Sequence, residues 1–65
     1  MIKRYDILTT PNDRHEALVR RVSDGRTATV DVRWLKQDGD AHVPVSRVKA
    51  IRLDYMVEWK AEETE

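Results

Sequence analysis

The chain of 65 residues contains no cysteine and no phenylalanine, and only two glycines and two prolines. Without cysteine, neither a disulfide framework nor a thiolate metal site can form, and nothing indicates an oxidising compartment. No apolar run approaches the ~18 residues of a membrane span, and Ile2 is followed at once by Lys3 and Arg4, unlike a signal peptide. We therefore expect one small cytoplasmic domain, near the lower size limit for independent folding.

An excess of charge of either sign is also missing, because 12 Lys/Arg balance 12 Asp/Glu. Residues 1–53 nevertheless hold 11 cations and 7 anions (+4), whereas residues 54–65 hold one cation and 5 anions (−4). Eight of the cations are arginines, which suit planar recognition of phosphate or carboxylate. The pattern fits either a solvated surface or a basic face for a polyanion. Residues 61–65 are predicted to be a disordered acidic tail.

The most regular stretch is Thr27–Val45, where apolar and polar residues alternate on both sides of a turn that contains Asp-Gly. Such a pattern predicts a β-hairpin. The side-chain period of two favours the register that pairs Trp34 with Val43. Pro44 has no N–H, and a four-residue loop, Gln37–Asp40, keeps it out of a hydrogen-bonded site. The prediction therefore gives this strand an edge position.

A second hairpin precedes the first. Ala17–Val22 is predicted to be a strand, and a two-residue loop, Asp24–Gly25, would set Val19 opposite Val30. Both hairpins then assign the same inward face, which predicts a three-stranded antiparallel meander. Lys3–Thr9 is predicted to be a further strand ahead of it.

Ser46–Val48 interrupts the alternation for about one turn, and Ala50–Leu53 resumes it. Strand, single turn, strand is similar to the end of SH3-like barrels, where a short 3₁₀ turn precedes the last strand. The meander, with its Val32–Trp34 segment, resembles the Tudor, KOW-type and other SH3-like barrels over about residues 3–53. The resemblance implies an all-β fold, a small five-stranded antiparallel SH3-like barrel with a single 3₁₀ turn before the last strand and an acidic C-terminal extension. It implies no activity.

Residues 54–60 complete the predicted domain, 1–60, and have two interpretations. Tyr55, Val57 and Trp59 alternate with polar or flexible residues, as in a strand that continues to Trp59. Alternatively, Asp54 caps a short helix. Extended structure is preferred, because the acidic residues that follow would oppose the dipole of a helix.

The inward face defines the predicted core. Its members are Val19, Val30, Val32, Trp34, Val43, Val45, Val48, Ile51 and Leu53. In the same register Leu18, Val22 and Leu35 point outward, where they are available for contact.

No nucleophile elbow, phosphate-binding glycine loop or cluster of metal ligands is present, so we expect no enzyme activity, catalytic residue, cofactor or metal. His15 and His42 lie in different predicted elements and are interpreted as surface residues. With only four aromatic residues, a methyl-lysine cage of the Tudor type is not expected.

Two classes of function remain. Protein–protein interaction, as an adaptor, an inhibitor or a small subunit, is preferred, with a homodimer through the C-terminal segment as one form of it. The residues predicted to contact a protein are Leu18, Val22, Leu35, Tyr55 and Trp59. The alternative is nucleic-acid binding through an arginine-rich barrel face, against which the neutral overall charge counts. The residues predicted to contact phosphates are Arg20, Arg21, Arg26, Arg33, Lys36, Arg47 and Lys49.

Overall fold

A computed structural model describes residues 3–61 of the chain. Its elements are β1 (Tyr5–Ile7), β2 (Glu16–Arg21), β3 (Thr27–Asp31), a 3₁₀ turn (Val32–Trp34), β4 (Leu35–Asp38), β5 (Ala41–Pro44) and the helix α1 (Arg47–Tyr55). The strands form one antiparallel sheet in the order β3-β2-β1-β5-β4. The expected five-stranded antiparallel sheet is confirmed, although its strands are not all the predicted ones. The predicted acidic tail lies, from residue 62 onward, outside the described residues.

The predicted last strand is a helix. Ser46 is the N-cap of α1, and its hydroxyl accepts a hydrogen bond from the Lys49 N–H at 3.2 Å. The residues that follow include neither glycine nor proline, so the helix continues to Tyr55. Both interpretations of residues 54–60 are therefore wrong, since Asp54 lies in the last turn of α1. The 3₁₀ turn is also misplaced in the prediction, because it precedes β4.

The loop between β2 and β3 is longer than predicted. The strands pair Ala17 with Val30 and Val19 with Ala28. The Arg21 N–H donates to the Arg26 carbonyl, which closes a four-residue loop, 22–25. This register differs from the predicted one by two residues. An even shift keeps the same face inward, so Ala17, Val19 and Val30 are buried as expected.

The long strand predicted from Thr27 is interrupted after Asp31. The Asp31 side chain accepts the Arg33 N–H at 2.9 Å and caps the 3₁₀ turn. The chain then resumes as β4, and Leu35 rather than Trp34 enters the core. The expected outward orientation of Leu35 is therefore wrong.

The strand β5 lies between β1 and β4, so its predicted edge position is wrong. β4 and β5 pair Asp38 with Ala41 around a two-residue loop, 39–40, not the predicted four-residue one. Pro44 is tolerated at the end of β5. The next residue, Val45, donates its N–H to the Trp34 carbonyl at 2.9 Å. Because hydrogen-bonded sites alternate along an antiparallel pair, Pro44 is at a site where no N–H is needed to bond β4.

The sheet is strongly curved. Its two edge strands, β3 and β4, are joined by only the three residues of the 3₁₀ turn. Five strands lying flat would separate the edges by about 19 Å at ~4.8 Å per strand, whereas three 3₁₀ residues span only about 6 Å. The end of β3 and the start of β4 must therefore lie close together.

The core is closed by Trp59. Its ring stacks on that of Tyr5 with centroids 5.5 Å apart, and its Nε1–H donates to the Leu53 carbonyl at 2.7 Å. The main core cluster consists of Tyr5, Val19, Ala28, Val30, Leu35, Leu53 and Trp59. Of the predicted core, Val19, Val30, Val43 and Leu53 are buried, Val32 and Trp34 are half-buried, and Val45, Val48 and Ile51 are exposed. Val48 and Ile51 are exposed because α1 replaces the predicted strand, and Val45 lies in the bend between β5 and α1.

We expect Trp59→Ala to lower the free energy of unfolding by about 3–5 kcal/mol, because it removes a buried ring and leaves a cavity. Trp34→Ala serves as the matched control and should cost less, since Trp34 is only half-buried. Urea denaturation followed by circular dichroism measures both. Equal losses would contradict the central position of Trp59.

We expect Gly39→Ala to destabilise the chain by about 1 kcal/mol, because Gly39 has φ +65° in the two-residue loop. An added Cβ would meet no atom within 4 Å, so the cost arises from the backbone alone. Gly39→Asn tolerates this conformation better and should lose less. The same denaturation experiment compares the variants, and a neutral Gly39→Ala would contradict this turn geometry.

Candidate interaction surface

The helix α1 presents apolar side chains on two opposite faces. Leu53 faces the sheet and is fully buried. Val48, Ile51 and Tyr55, spaced three and four residues apart, share the other side of the helix. They are 57%, 53% and 83% exposed. These three residues are called the outer stripe.

Two arginines border the outer stripe. At about 100° per residue, Arg47 lies roughly 75° to one side of the centre of the stripe and Arg52 roughly 65° to the other. Neither arginine forms an ion pair within residues 3–61. The stripe is therefore an apolar surface with a cation along each edge.

The remaining polar side chains of α1 contact the 3₁₀ turn and the segment before β1. Lys49 lies over the ring of Trp34, 4.7 Å from its centroid. Asp54 accepts a hydrogen bond from Lys3 at 3.0 Å. Together with the buried Leu53 and the bond from Trp59 to its carbonyl, these contacts orient the outer stripe away from the domain.

An open groove of about 390 Å³ runs beside the helix, between α1, the start of β1 and the end of β5. Tyr5 lines it, and burial, followed by the charge of Asp54, raises the pKa of the Tyr5 phenol. The hydroxyl of Ser46, also in the groove, already caps α1. The groove therefore lies next to Arg47. Neither Tyr5 nor Ser46 is activated in it as a nucleophile.

The residues predicted to contact a protein do not form one surface. Leu18, Val22 and Tyr55 are exposed as expected, but they lie on β2, on the β2–β3 loop and on α1. Leu35 and Trp59 are 7% and 9% exposed, so both belong to the core. Leu35 was expected to be accessible because the predicted register turned it outward, and Trp59 because the barrel was predicted to end before it.

Val48 and Ile51 were missed as contact residues because they were assigned to the core of a strand. Each lies two residues before another apolar residue, Ala50 or Leu53, with a polar residue between, as in a strand. The signal that could have found them is Ser46, a good N-cap, followed by apolar residues at helical spacing. That pattern places Val48, Ile51 and Tyr55 on one face.

The predicted nucleic-acid contacts are largely engaged within the chain. Arg20 pairs with Asp6 at 3.1 Å, and Arg33 pairs with Asp31 at 2.7 Å. Arg21 and Arg26 share Asp24. Lys49 is held over Trp34, which leaves Lys36 and Arg47 without an ion pair in the described part of the chain. Carboxylates therefore lie beside most of the arginines of the predicted arginine-rich face.

Two of these carboxylates have strongly lowered pKa values. Hydrogen bonds from the Arg21 guanidinium, supported by the Arg26 N–H, lower the pKa of Asp24 to about 2. Hydrogen bonds from the side chain and the backbone of Arg33 lower the pKa of Asp31 to about 2. Both acids therefore stay charged at neutral and at mildly acidic pH.

Chemistry-bearing side chains are dispersed. Over residues 3–61, no three His, Cys, Asp or Glu side chains come together as metal ligands would. His15 is exposed in the loop before β2, and His42 lies opposite Tyr5 in the sheet. The described helix is too short and too polar to cross a bilayer.

Comparison with known proteins gives no further guide. No family model, curated protein or solved structure matches the chain.

We expect stability to fall between pH 4 and pH 2 and to change little from pH 7 to pH 5. The pKa values of Asp24 and Asp31 are about 2 in the folded chain against an ordinary 3.8. Their contribution is therefore complete above the unfolded value and is lost as the pH falls through the folded one. The double variant Asp24→Asn/Asp31→Asn should melt lower at neutral pH and lose less on acidification.

Thermal melts across this pH range test the expectation. Asp13→Asn is the control, because Asp13 is exposed and forms no ion pair within residues 3–61. An acid transition as steep in the double variant as in this control would contradict it.

Proposed function

We propose that the chain is a non-enzymatic, cytoplasmic binding module that mediates protein–protein interaction, as an adaptor, an inhibitor or a small subunit of a larger complex. The observation that carries the proposal is the outer stripe of α1. It consists of large apolar side chains that are exposed on the face of the helix opposite the buried Leu53. An exposed apolar patch of this kind is characteristic of a docking site.

The way in which α1 is held supports this function. A single side chain of the helix, Leu53, is fully buried. Its further side-chain contacts include Lys49 over the ring of Trp34 and the pair of Asp54 with Lys3. Most of the large apolar side chains of α1 therefore lie on its outer face. A helix that lays such a face against a partner uses a common mode of recognition.

The ion pairs favour this function over nucleic-acid binding. Each guanidinium that pairs with an aspartate would have to give up that partner, or bring its carboxylate along, to contact a phosphate. Arg20 and Arg33 are held in this way. The outer stripe needs no such rearrangement.

We also propose that the curved sheet closes as an SH3-like barrel. Its support is the strand, 3₁₀ turn, strand unit formed by β3, Val32–Trp34 and β4, which joins the two edges of the sheet. This unit comes one strand earlier in the chain than in the SH3-like barrels that the sequence resembles. The helix α1 then occupies the position in the chain where the last strand was expected.

We expect Ile51→Glu to abolish capture of binding proteins by the immobilised chain from an extract of its source cells, because it places a charge in the centre of the outer stripe. Val22→Glu is the matched control. Val22 and Ile51 are 51% and 53% exposed, and Val22 lies on the β2–β3 loop. Proteins captured by the wild type and by Val22→Glu, but not by Ile51→Glu, would fit the proposal.

Circular dichroism first verifies that both variants are folded. Loss of captured proteins with Val22→Glu alone would assign the contact to the β2–β3 loop instead. Equal capture by all three forms would remove the outer stripe from the function.

A further inference from the structure

We infer that the outer stripe binds an acidic amphipathic helix, with an apolar stripe of its own bordered by carboxylates on both sides. The inference rests on the proposed function and adds the chemistry of the partner. It depends on the charges at the edges of the stripe, and the apolar side chains supply only the docking area.

The charge on the outer side of α1 is of one sign. The helix carries Arg47, Lys49 and Arg52 against the single acid Asp54. Asp54 lines the groove together with Arg47, and it is already paired with Lys3. Since Lys49 lies over Trp34, the two arginines are the charges that remain beside the stripe.

A partner must satisfy both arginines to lie along the stripe. A guanidinium forms two parallel hydrogen bonds with one carboxylate, and it can be desolvated more easily than a lysine ammonium. Carboxylates on both borders of an apolar stripe would therefore match Arg47 and Arg52 at the same time. A basic partner would bring like charges together at both edges, which selects against it.

A second copy of this chain offers less complementarity. In a twofold pair the same patch meets itself, so the only acid that a second α1 brings to the edges of the stripe is its Asp54. Asp54 lies on the same side of the helix as Arg47, about 95° from the centre of the stripe, and is already paired with Lys3. Self-association would thus set two arginines of each copy against one acid that already has a partner, whereas an acidic helix brings a carboxylate to each arginine.

The length of the stripe limits the length of the partner segment. Val48 and Tyr55 are seven positions apart, which is about 10 Å along the helix axis, or two turns. A matching helix needs apolar residues at positions i, i+3 or i+4, and i+7, with Glu or Asp on the flanking positions. Only two to three turns need to dock.

The test uses two synthetic probes. Both are side-chain-stapled helical peptides of about 15 residues, since shorter unconstrained helices are marginal in water. They share one Leu stripe at i, i+4 and i+7. One peptide has Glu at every flanking position and the other has Lys. Titration calorimetry measures their affinities for the full chain at low and at high salt.

We expect the Glu peptide to bind at least about tenfold more tightly than the Lys peptide, with the difference shrinking at high salt. Arg47→Glu/Arg52→Glu should weaken binding of the Glu peptide about tenfold and improve binding of the Lys peptide. The matched control is Arg14→Glu/Lys36→Glu, which changes the net charge equally at exposed sites off the helix. It should change either affinity less than about threefold. If Arg47→Glu/Arg52→Glu does not fold, Arg47→Gln/Arg52→Gln takes its place. It should change both affinities in the same direction by a smaller factor.

Other outcomes overturn the inference in distinguishable ways. Equal binding of the two peptides would eliminate the preference for acid and leave apolar docking intact. If neither peptide binds while Ile51→Glu still abolishes capture from extract, the partner chemistry is wrong and the proposed function stands. If capture is also unaffected by Ile51→Glu, both fail. A dimer in sedimentation that Ile51→Glu dissociates would assign the stripe to a second copy. RNA binding that Arg47→Glu/Arg52→Glu abolishes would assign it to nucleic acid.

Discussion

The contact on which the rest of this small domain depends is the return of Trp59 to the ring of Tyr5. The stack joins the first strand to the last described segment, and Arg21 covers the indole ring, 4.9 Å from its centroid. Because the indole N–H also donates to the Leu53 carbonyl, the same residue fixes the end of α1. In a chain of this size, one large aromatic ring supplies an appreciable share of the buried apolar area.

The exposure of the outer stripe follows from this use of Trp59 in the core. Residues of the sheet and Trp59 already fill the core, so α1 needs to contribute little beyond Leu53. The apolar residues on the other face are left exposed. The helix α1 buries one residue and exposes an apolar outer face that does not contribute to the core. This is why we propose the outer stripe as the contact surface.

How far the sequence predicted this structure depends on the range of the interactions involved. The inward face of β2 and β3 was predicted correctly despite the wrong register, because the error was two residues and side chains alternate. The helix was not, because Val48–Tyr55 carries both a strand-like alternation and a helical spacing, and the N-cap Ser46 decides between them. The burial of Trp59 depends on Tyr5, 54 residues away in the chain, and no local pattern contains that contact.

The bridge between Thr27 and Lys60 has a consequence for how copies of this protein meet in a crowded solution. Each residue donates its N–H to the carbonyl of the other, at 2.9 and 2.8 Å, along the outer side of β3. An uncovered edge strand can recruit an extended chain and start an aggregate. Here one end of the edge is occupied by the chain itself, and the other turns away into the 3₁₀ segment. At the β3 edge the domain therefore offers little template for sheet-to-sheet polymerisation, while it exposes an apolar helix elsewhere.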